Sequence, residues 1–155
     1  MLRQVQLPRP AVTGKLYLCS MPGRFEPLAQ FQQEAEEVKL GHIVCLVPNK
    51  EIAHLSPDYL AAIKEDRLPA KLWHFPISEF GKSPDLKSLK TILDQICDRL
   101  KQGESAAIHC AYGHCRTGMA ARLLLARMGL PFQESVDAIA HAGSTPSAKL
   151  ESEFQ

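Results

Sequence analysis

At 155 residues, 45% hydrophobic and 23% charged, the chain holds enough apolar material for one buried core and reads as a single domain spanning 1–155. A formal charge of +1 excludes bulk binding to nucleic acid or a polyanionic membrane, so any anion site has to be local. Five cysteines at irregular spacing (Cys19, Cys45, Cys97, Cys110, Cys115) exclude a regular disulfide framework, and no apolar run reaches the roughly 20 residues of a membrane span. Met1 to Pro10 shows no signal-like apolar run, so a soluble, cytoplasmic protein is expected.

In chain order, KLYLCS (Lys15 to Ser20) reads as a short strand closed by MPG. Apolar residues at Phe25, Leu28, Phe31, Ala35 and Val38 recur at helical spacing and predict a helix from Phe25 to Leu40. HIVCLV (His42 to Val47) is almost continuously apolar and β-branched, which suits a strand of a parallel sheet buried on both faces. Asp58 to Arg67 reads as a helix, with Ser56-Pro57 as its cap and first turn. LWHF (Leu72 to Phe75) is a third strand, followed by a loop, PISEFGK.

Ser83-Pro84-Asp85 carries a cap, a proline and a first-turn acid, and opens a helix whose buried face runs Leu86, Leu89, Ile92, Leu93, Ile96 and Leu100 until Gly103 stops it. SAAIHC (Ser105 to Cys110) is a fourth strand, and Thr117 to Met128 is an apolar helix ended by Gly129. Another amphipathic helix follows Pro131, then a short one near the C-terminus. The alternation implies an α/β layered fold around a mainly parallel sheet of four to five strands flanked by helices.

One stretch, HCAYGHCRTG (His109 to Gly118), falls between a strand's C-terminal end and a helix N-terminus, where open α/β sheets bind ligands. Unpaired N–H groups at a helix N-terminus and its positive dipole end favour a phosphate. Gly113 permits a positive φ that turns successive N–H groups inward, and Arg116 supplies a planar fork for two phosphate oxygens. Cys110 stands at the start of that loop, where such a field favours a sulfur anion. Thiolate, cradle and fork together describe nucleophilic attack on phosphorus. The bland reading, a buried cysteine ending a strand, has to contend with six specified positions in His-Cys-x-x-Gly-x-x-Arg-Thr-Gly.

These residues resemble the signature of the cysteine-dependent protein tyrosine phosphatases, in particular their compact dual-specificity branch. Weaker resemblance extends over GKLYLCSMPG, HIVCLV with Glu51 after it, and FPISEFGKSPD. The resemblance implies Cys110 as nucleophile of a phosphocysteine intermediate, Arg116 as binder of the phosphoryl oxygens, and Thr117 as hydrogen-bond partner of the departing thiolate. It implies that His109 orients the loop, that the amides of Ala111, Tyr112, Gly113, His114, Cys115 and Arg116 form the cradle, and that no metal or cofactor is needed. The family's general acid is an aspartate about thirty residues before the cysteine. Here Pro76-Ile77-Ser78-Glu79 puts a glutamate there, so Glu79 is the candidate acid and Asp85 the alternative, against its simpler role in a helix's first turn.

Cys115, five positions after the nucleophile, has the spacing of the low-molecular-weight tyrosine phosphatases, in which a partner thiol traps the oxidised nucleophile. It is a candidate redox partner, or else a filler beneath the loop. His42, His54 and His141 make no metal-ligand spacing, Trp73, His74 and Phe75 read as strand and core with His74 near the site, and Lys82 reads as solvated. The resemblance implies lysines or extra arginine at the variable loop positions of members that act on several phosphates. Ala111, Tyr112, His114 and Cys115 offer only His114, so a substrate with one phosphate is expected: phosphotyrosine, and phosphoserine or phosphothreonine in a shallow pocket. Phosphorylated protein or small phosphomonoesters are then the partners, with no nucleic acid and no membrane. Two other classes fit the stretch: a catalytically weak phosphate-binding module, and a thiol-dependent arsenate reductase or sulfurtransferase.

Overall fold

The computed structural model of the chain describes residues 1–7, 12–78 and 85–145. Its strands are β1 (Arg3–Gln4), β2 (Leu16–Cys19), β3 (Leu40–Cys45), β4 (Lys71–His74) and β5 (Ser105–His109). Its helices are α1 (Leu28–Glu37), α2 (Asn49–Leu55), α3 (Pro57–Lys64), α4 (Leu86–Lys101), α5 (Cys115–Arg127) and α6 (Phe132–His141). The strands form one sheet in the order β1-β2-β5-β3-β4, parallel throughout except for the antiparallel edge strand β1. This is the expected α/β layered fold, at five strands.

The strands β2, β5 and β3 lie at the centre, and their apolar residues are buried on both faces. On one face α1 brings Phe31 and Ala35 against Tyr17, Cys19, Ile43 and Ala107. On the other, Leu89, Leu93 and Ile96 of α4 and Met119, Ala120 and Leu124 of α5 pack against Leu18, Val44 and Ile108. Burying such side chains stabilises the fold by about 1.5–3 kcal/mol each relative to exposure. Register then places the site. Cys19 of β2 and Cys45 of β3 both pair with His109 of β5, so three strands end level and Cys110 leaves from the middle of that edge.

Several boundaries move from their sequence-based positions. The first helix starts at Leu28, behind an extended Pro27, and ends before Lys39, whose positive φ of 54° turns the chain so that Leu40 begins β3. Phe25 is therefore outside the helix and 62% exposed. α2 was not expected; its seven residues bury Ile52 and are too few to display a period. β1, with two residues, left no pattern either. Ser56 does precede α3, yet its hydroxyl donates to the Pro22 carbonyl instead of capping the helix. α4 begins at Leu86 with Asp85 itself as the cap, so the acid sits one step outside the helix and not in its first turn. The short C-terminal helix, like Ser83 and Pro84, lies outside the described residues. Among the described residues no helix is long and apolar enough to cross a membrane.

Candidate active site

His109 ends β5 as a fully buried side chain with both ring nitrogens engaged. Its Nδ1 lies 3.0 Å from the Cys110 carbonyl and its Nε2 2.7 Å from the Tyr59 hydroxyl. A carbonyl only accepts, so Nδ1 carries the proton and Tyr59 donates to Nε2, which fixes a neutral tautomer. Burial pushes the His109 pKa down to about 4, consistent with that neutral ring. The imidazole thus tethers the loop's first peptide to α3 through Tyr59, 50 residues away in sequence.

Cys110 follows, 3% exposed, and the Gly113 N–H donates to its Sγ at 3.3 Å. Gly113 has φ +80°, and a Cβ there would come within 2.5 Å of the Cys19 carbonyl oxygen, so both conformation and space demand glycine. Cys115 opens α5, and the first helical hydrogen bond runs from the Gly118 N–H to the His114 carbonyl at 2.7 Å. Arg116 and Thr117 occupy the first turn and are buried. The Thr117 hydroxyl, like the Ser135 hydroxyl and one Glu34 carboxylate oxygen, is buried with no hydrogen-bond partner among the described residues, which costs stability.

Arg116 is fixed by two elements. Its Nη1 and Nη2 donate to the two carboxylate oxygens of Glu51 at 3.0 and 2.8 Å, and Nη1 also donates to the Ile77 carbonyl at 2.8 Å. Glu51 comes from the first turn of α2, where it also meets the positive end of the helix dipole. The fork-to-fork pair fixes the guanidinium plane. Sequence reasoning quoted Glu51 only within the resemblance and gave it no role; an acid just past a buried strand's C-terminal end was the available signal.

Beside the loop an open groove is lined by Arg24, Glu51, His54, Leu55, Ser78, Ala111 and Tyr112. Arg24 donates to the Ala111 carbonyl at 3.0 Å, and its guanidinium lies 4.1 Å from the Tyr112 ring centroid and 4.6 Å from that of Phe25. Tyr112 is 53% exposed, so an aromatic–cation–aromatic rim stands at the mouth. His74 ends β4 and does not line this groove; its Nε2 donates to the Val47 carbonyl at 2.6 Å.

The remaining thiols differ sharply. Cys19 and Cys45 are buried, and burial pushes each up to about 12, so neither is a nucleophile at neutral pH. Cys115 is exposed, which overturns its reading as a filler beneath the loop. Asp85 lies away from these contacts as a cap: its carboxylate accepts from the Lys87 and Ser88 N–H groups at 3.1 and 3.4 Å and from the Ser88 hydroxyl at 2.7 Å. Those bonds, the Ser88 hydroxyl first, hold its pKa below the usual carboxylate value. Glu79 and Lys82 lie outside the described residues. Among the described residues no cluster of His, Cys, Asp and Glu could hold a metal ion.

Comparison with known proteins meets this geometry. Residues 33–137 match the tyrosine phosphatase family. A kinase-associated phosphatase, solved with its catalytic-site cysteine replaced by serine, superposes over 100% of this chain and 92% of its own, with a TM-score of 0.80 at 19% identity. The active form of Tk-PTP covers 94% of this chain and 96% of its own (TM-score 0.66, 23% identity). A human tyrosine phosphatase-like serine/threonine/tyrosine-interacting protein covers 99% and 93% (TM-score 0.70, 13% identity). Curated protein sequences give no match. These structures share the fold of compact dual-specificity phosphatases. With its signature loop inside a match covering more than half its length, the chain belongs to the tyrosine phosphatase family.

Proposed function

We propose that this chain hydrolyses phosphomonoesters without a metal, through a phosphocysteine at Cys110. The observation that carries the reading is the Gly113 N–H directed at the Cys110 sulfur, at the head of a helix whose Arg116 is clamped by Glu51. A donor aimed at sulfur stabilises its anion, as do the helix N-terminus and the guanidinium.

In the first step the Cys110 thiolate attacks phosphorus, an S–P bond forms and the bond to the ester oxygen breaks. The leaving oxygen takes a proton from a carboxylic acid, which we assign to Glu79 because Asp85 is committed to capping α4 in its ionised form. Arg116 and the amides from Ala111 to Arg116 hold the phosphoryl oxygens as charge moves through them. In the second step water attacks phosphorus, gives its proton to the carboxylate, and the S–P bond breaks. The Thr117 hydroxyl, without a partner among the described residues, then donates to the departing thiolate. His109, neutral and doubly hydrogen-bonded, orients the loop and exchanges no proton.

The exposed rings of Tyr112 and Phe25 at the groove support aryl phosphates, phosphotyrosine first, with phosphoserine and phosphothreonine as secondary substrates. Five free cysteines support a reducing, cytoplasmic setting.

The test is hydrolysis of para-nitrophenyl phosphate from pH 4 to 8 with EDTA. Wild type is expected to turn over, Cys110→Ser to lose all activity, and Glu79→Gln to lose the basic limb while losing more activity on an alkyl phosphate than on the aryl ester. Tungstate binding without turnover in folded wild type would make the chain a phosphate-binding module instead. Arsenate reduction with a thiol donor would point to the third class.

A further inference from the structure

The carbonyl of Gly113, the loop's glycine, is held from outside by residues at opposite ends of the chain. Arg3 Nη2 donates to it at 3.1 Å, and the Ser144 hydroxyl donates to it as well. The same guanidinium donates through Nη1 to the Ala142 carbonyl at 2.7 Å, and Nη2 lies 3.4 Å from the Ser144 Oγ. Gly143 makes room for it: a Cβ there would sit 2.6 Å from Arg3 Nη1, and the glycine's φ is +80°. The two-residue strand β1 supplies the placement, with Arg3 in register with Leu18 and the Val5 N–H bonded to the Leu16 carbonyl. Ser144 is buried, and its hydroxyl donates to the Gly113 carbonyl while accepting from Arg3.

A trans peptide points its C=O and N–H in opposite directions. Holding the Gly113 oxygen outward therefore sends the His114 N–H the other way, away from Arg3 and Ser144. Glycine's conformational freedom would otherwise let this peptide rotate, and a rotated peptide would present an oxygen to the anion in place of a hydrogen. Arg3 also polarises the peptide, since a cation on the carbonyl strengthens the N–H as a donor. We propose that Arg3 and Ser144 are positioning residues that set the direction of the Gly113–His114 peptide, and so one backbone donor of the oxyanion cradle. The proposal rests on the reading of the loop as such a cradle.

The test measures tungstate affinity by calorimetry, kcat and KM on para-nitrophenyl phosphate, and Tm, in wild type, Arg3→Ala, Arg3→Lys and Ser144→Ala. A misdirected donor costs more in the transition state than in the ground state. The expected result for Arg3→Ala is thus a fall in kcat and in tungstate affinity of about tenfold each, with KM within about twofold. Arg3→Lys recovers part of the loss, and Ser144→Ala shows the same signature at about threefold. Should Arg3→Ala fail to fold, Ser144→Ala carries the test. Wild-type kcat and affinity in the folded variants, whatever happens to Tm, would reduce Arg3 and Ser144 to a tie between chain ends and overturn the proposal. Wild type that binds no tungstate would overturn the cradle itself and the clamp with it.

Discussion

Glu51 and Arg116, 65 residues apart, form a two-point ion pair with N–O distances of 3.0 and 2.8 Å, and the arginine is almost fully buried while the glutamate keeps a partly open side. Removing the carboxylate takes the opposite charge away from a buried guanidinium. Glu51→Ala is expected to destabilise the fold by about 3 kcal/mol in urea titration, the low end for a buried pair because Glu51 is partly exposed. It should also lower kcat/KM on para-nitrophenyl phosphate by about tenfold or more, because the guanidinium plane is no longer set. An unchanged kcat/KM would show that its other contacts, the Ile77 carbonyl among them, suffice to orient Arg116.

Gly113→Ala meets both a positive φ and the Cys19 carbonyl at 2.5 Å. The loop has to move to accept the methyl, so tungstate affinity is expected to fall by at least about tenfold and stability by more than about 1 kcal/mol. Calorimetry and thermal melting read the two effects separately. Retained affinity would mean that the cradle tolerates a shifted Gly113.

His109 gives the fold a pH dependence of definite sign. Its pKa is about 4 in the folded protein against an ordinary 6.5. Between those values the unfolded chain binds the extra proton, so this contribution is complete above 6.5 and is lost as pH falls through 4, amounting to about 3 kcal/mol. Urea midpoints at pH 7 and 4.5 should fall accordingly in wild type and fall less in His109→Gln. Equal slopes in the two proteins would assign the acid sensitivity to other groups.

The thiols should sort by reactivity. Iodoacetamide on the native protein at pH 7 is expected to modify Cys110 and Cys115 and to spare Cys19 and Cys45, whose pKa values burial pushes up to about 12. Tungstate should protect Cys110 and leave Cys115 labelled, as read by mass spectrometry. If Cys115 is the redox partner, peroxide converts Cys110 to a sulfenic acid that condenses with the Cys115 thiol, releasing water. Cys115→Ser is then expected to lose activity that dithiothreitol does not restore. Recovery as complete as in wild type would remove the redox role.

Asp85 separates capping from catalysis. Asp85→Ala is expected to lower Tm by about 3 °C through loss of the cap on α4, with the pH profile of para-nitrophenyl phosphate hydrolysis unmoved. Disappearance of the basic limb in this variant would return the acid role from Glu79 to Asp85.

Much of the candidate site was legible because the proposed cradle, built of consecutive amides, is written in consecutive residues. Cys110, Gly113, Arg116 and Thr117 fall within eight positions, and the strand before them and the helix after them announce themselves by apolar pattern. Long, strongly periodic α4 was legible for the same reason, down to its buried Leu89, Leu93, Ile96 and Leu100. Short elements were not: β1 and α2 hold too few residues for a period, though each delivers a residue to the loop, Arg3 and Glu51. The sequence also offered Asp85 as a first-turn acid, and only its backbone contacts with Lys87 and Ser88 identify it as the cap.

By itself the sequence determined one local constellation, since the thiol, the turn glycine and the arginine proposed as nucleophile, cradle and anion binder lie on one short stretch of backbone. The tertiary structure decided what holds those residues in place. Tyr59 reaches His109 across 50 residues, Ile77 reaches Arg116 across 39, and Arg3 reaches Gly113 across 110. Such partners carry no spacing signal, because strand register and helix packing, not chain proximity, bring them within hydrogen-bonding distance.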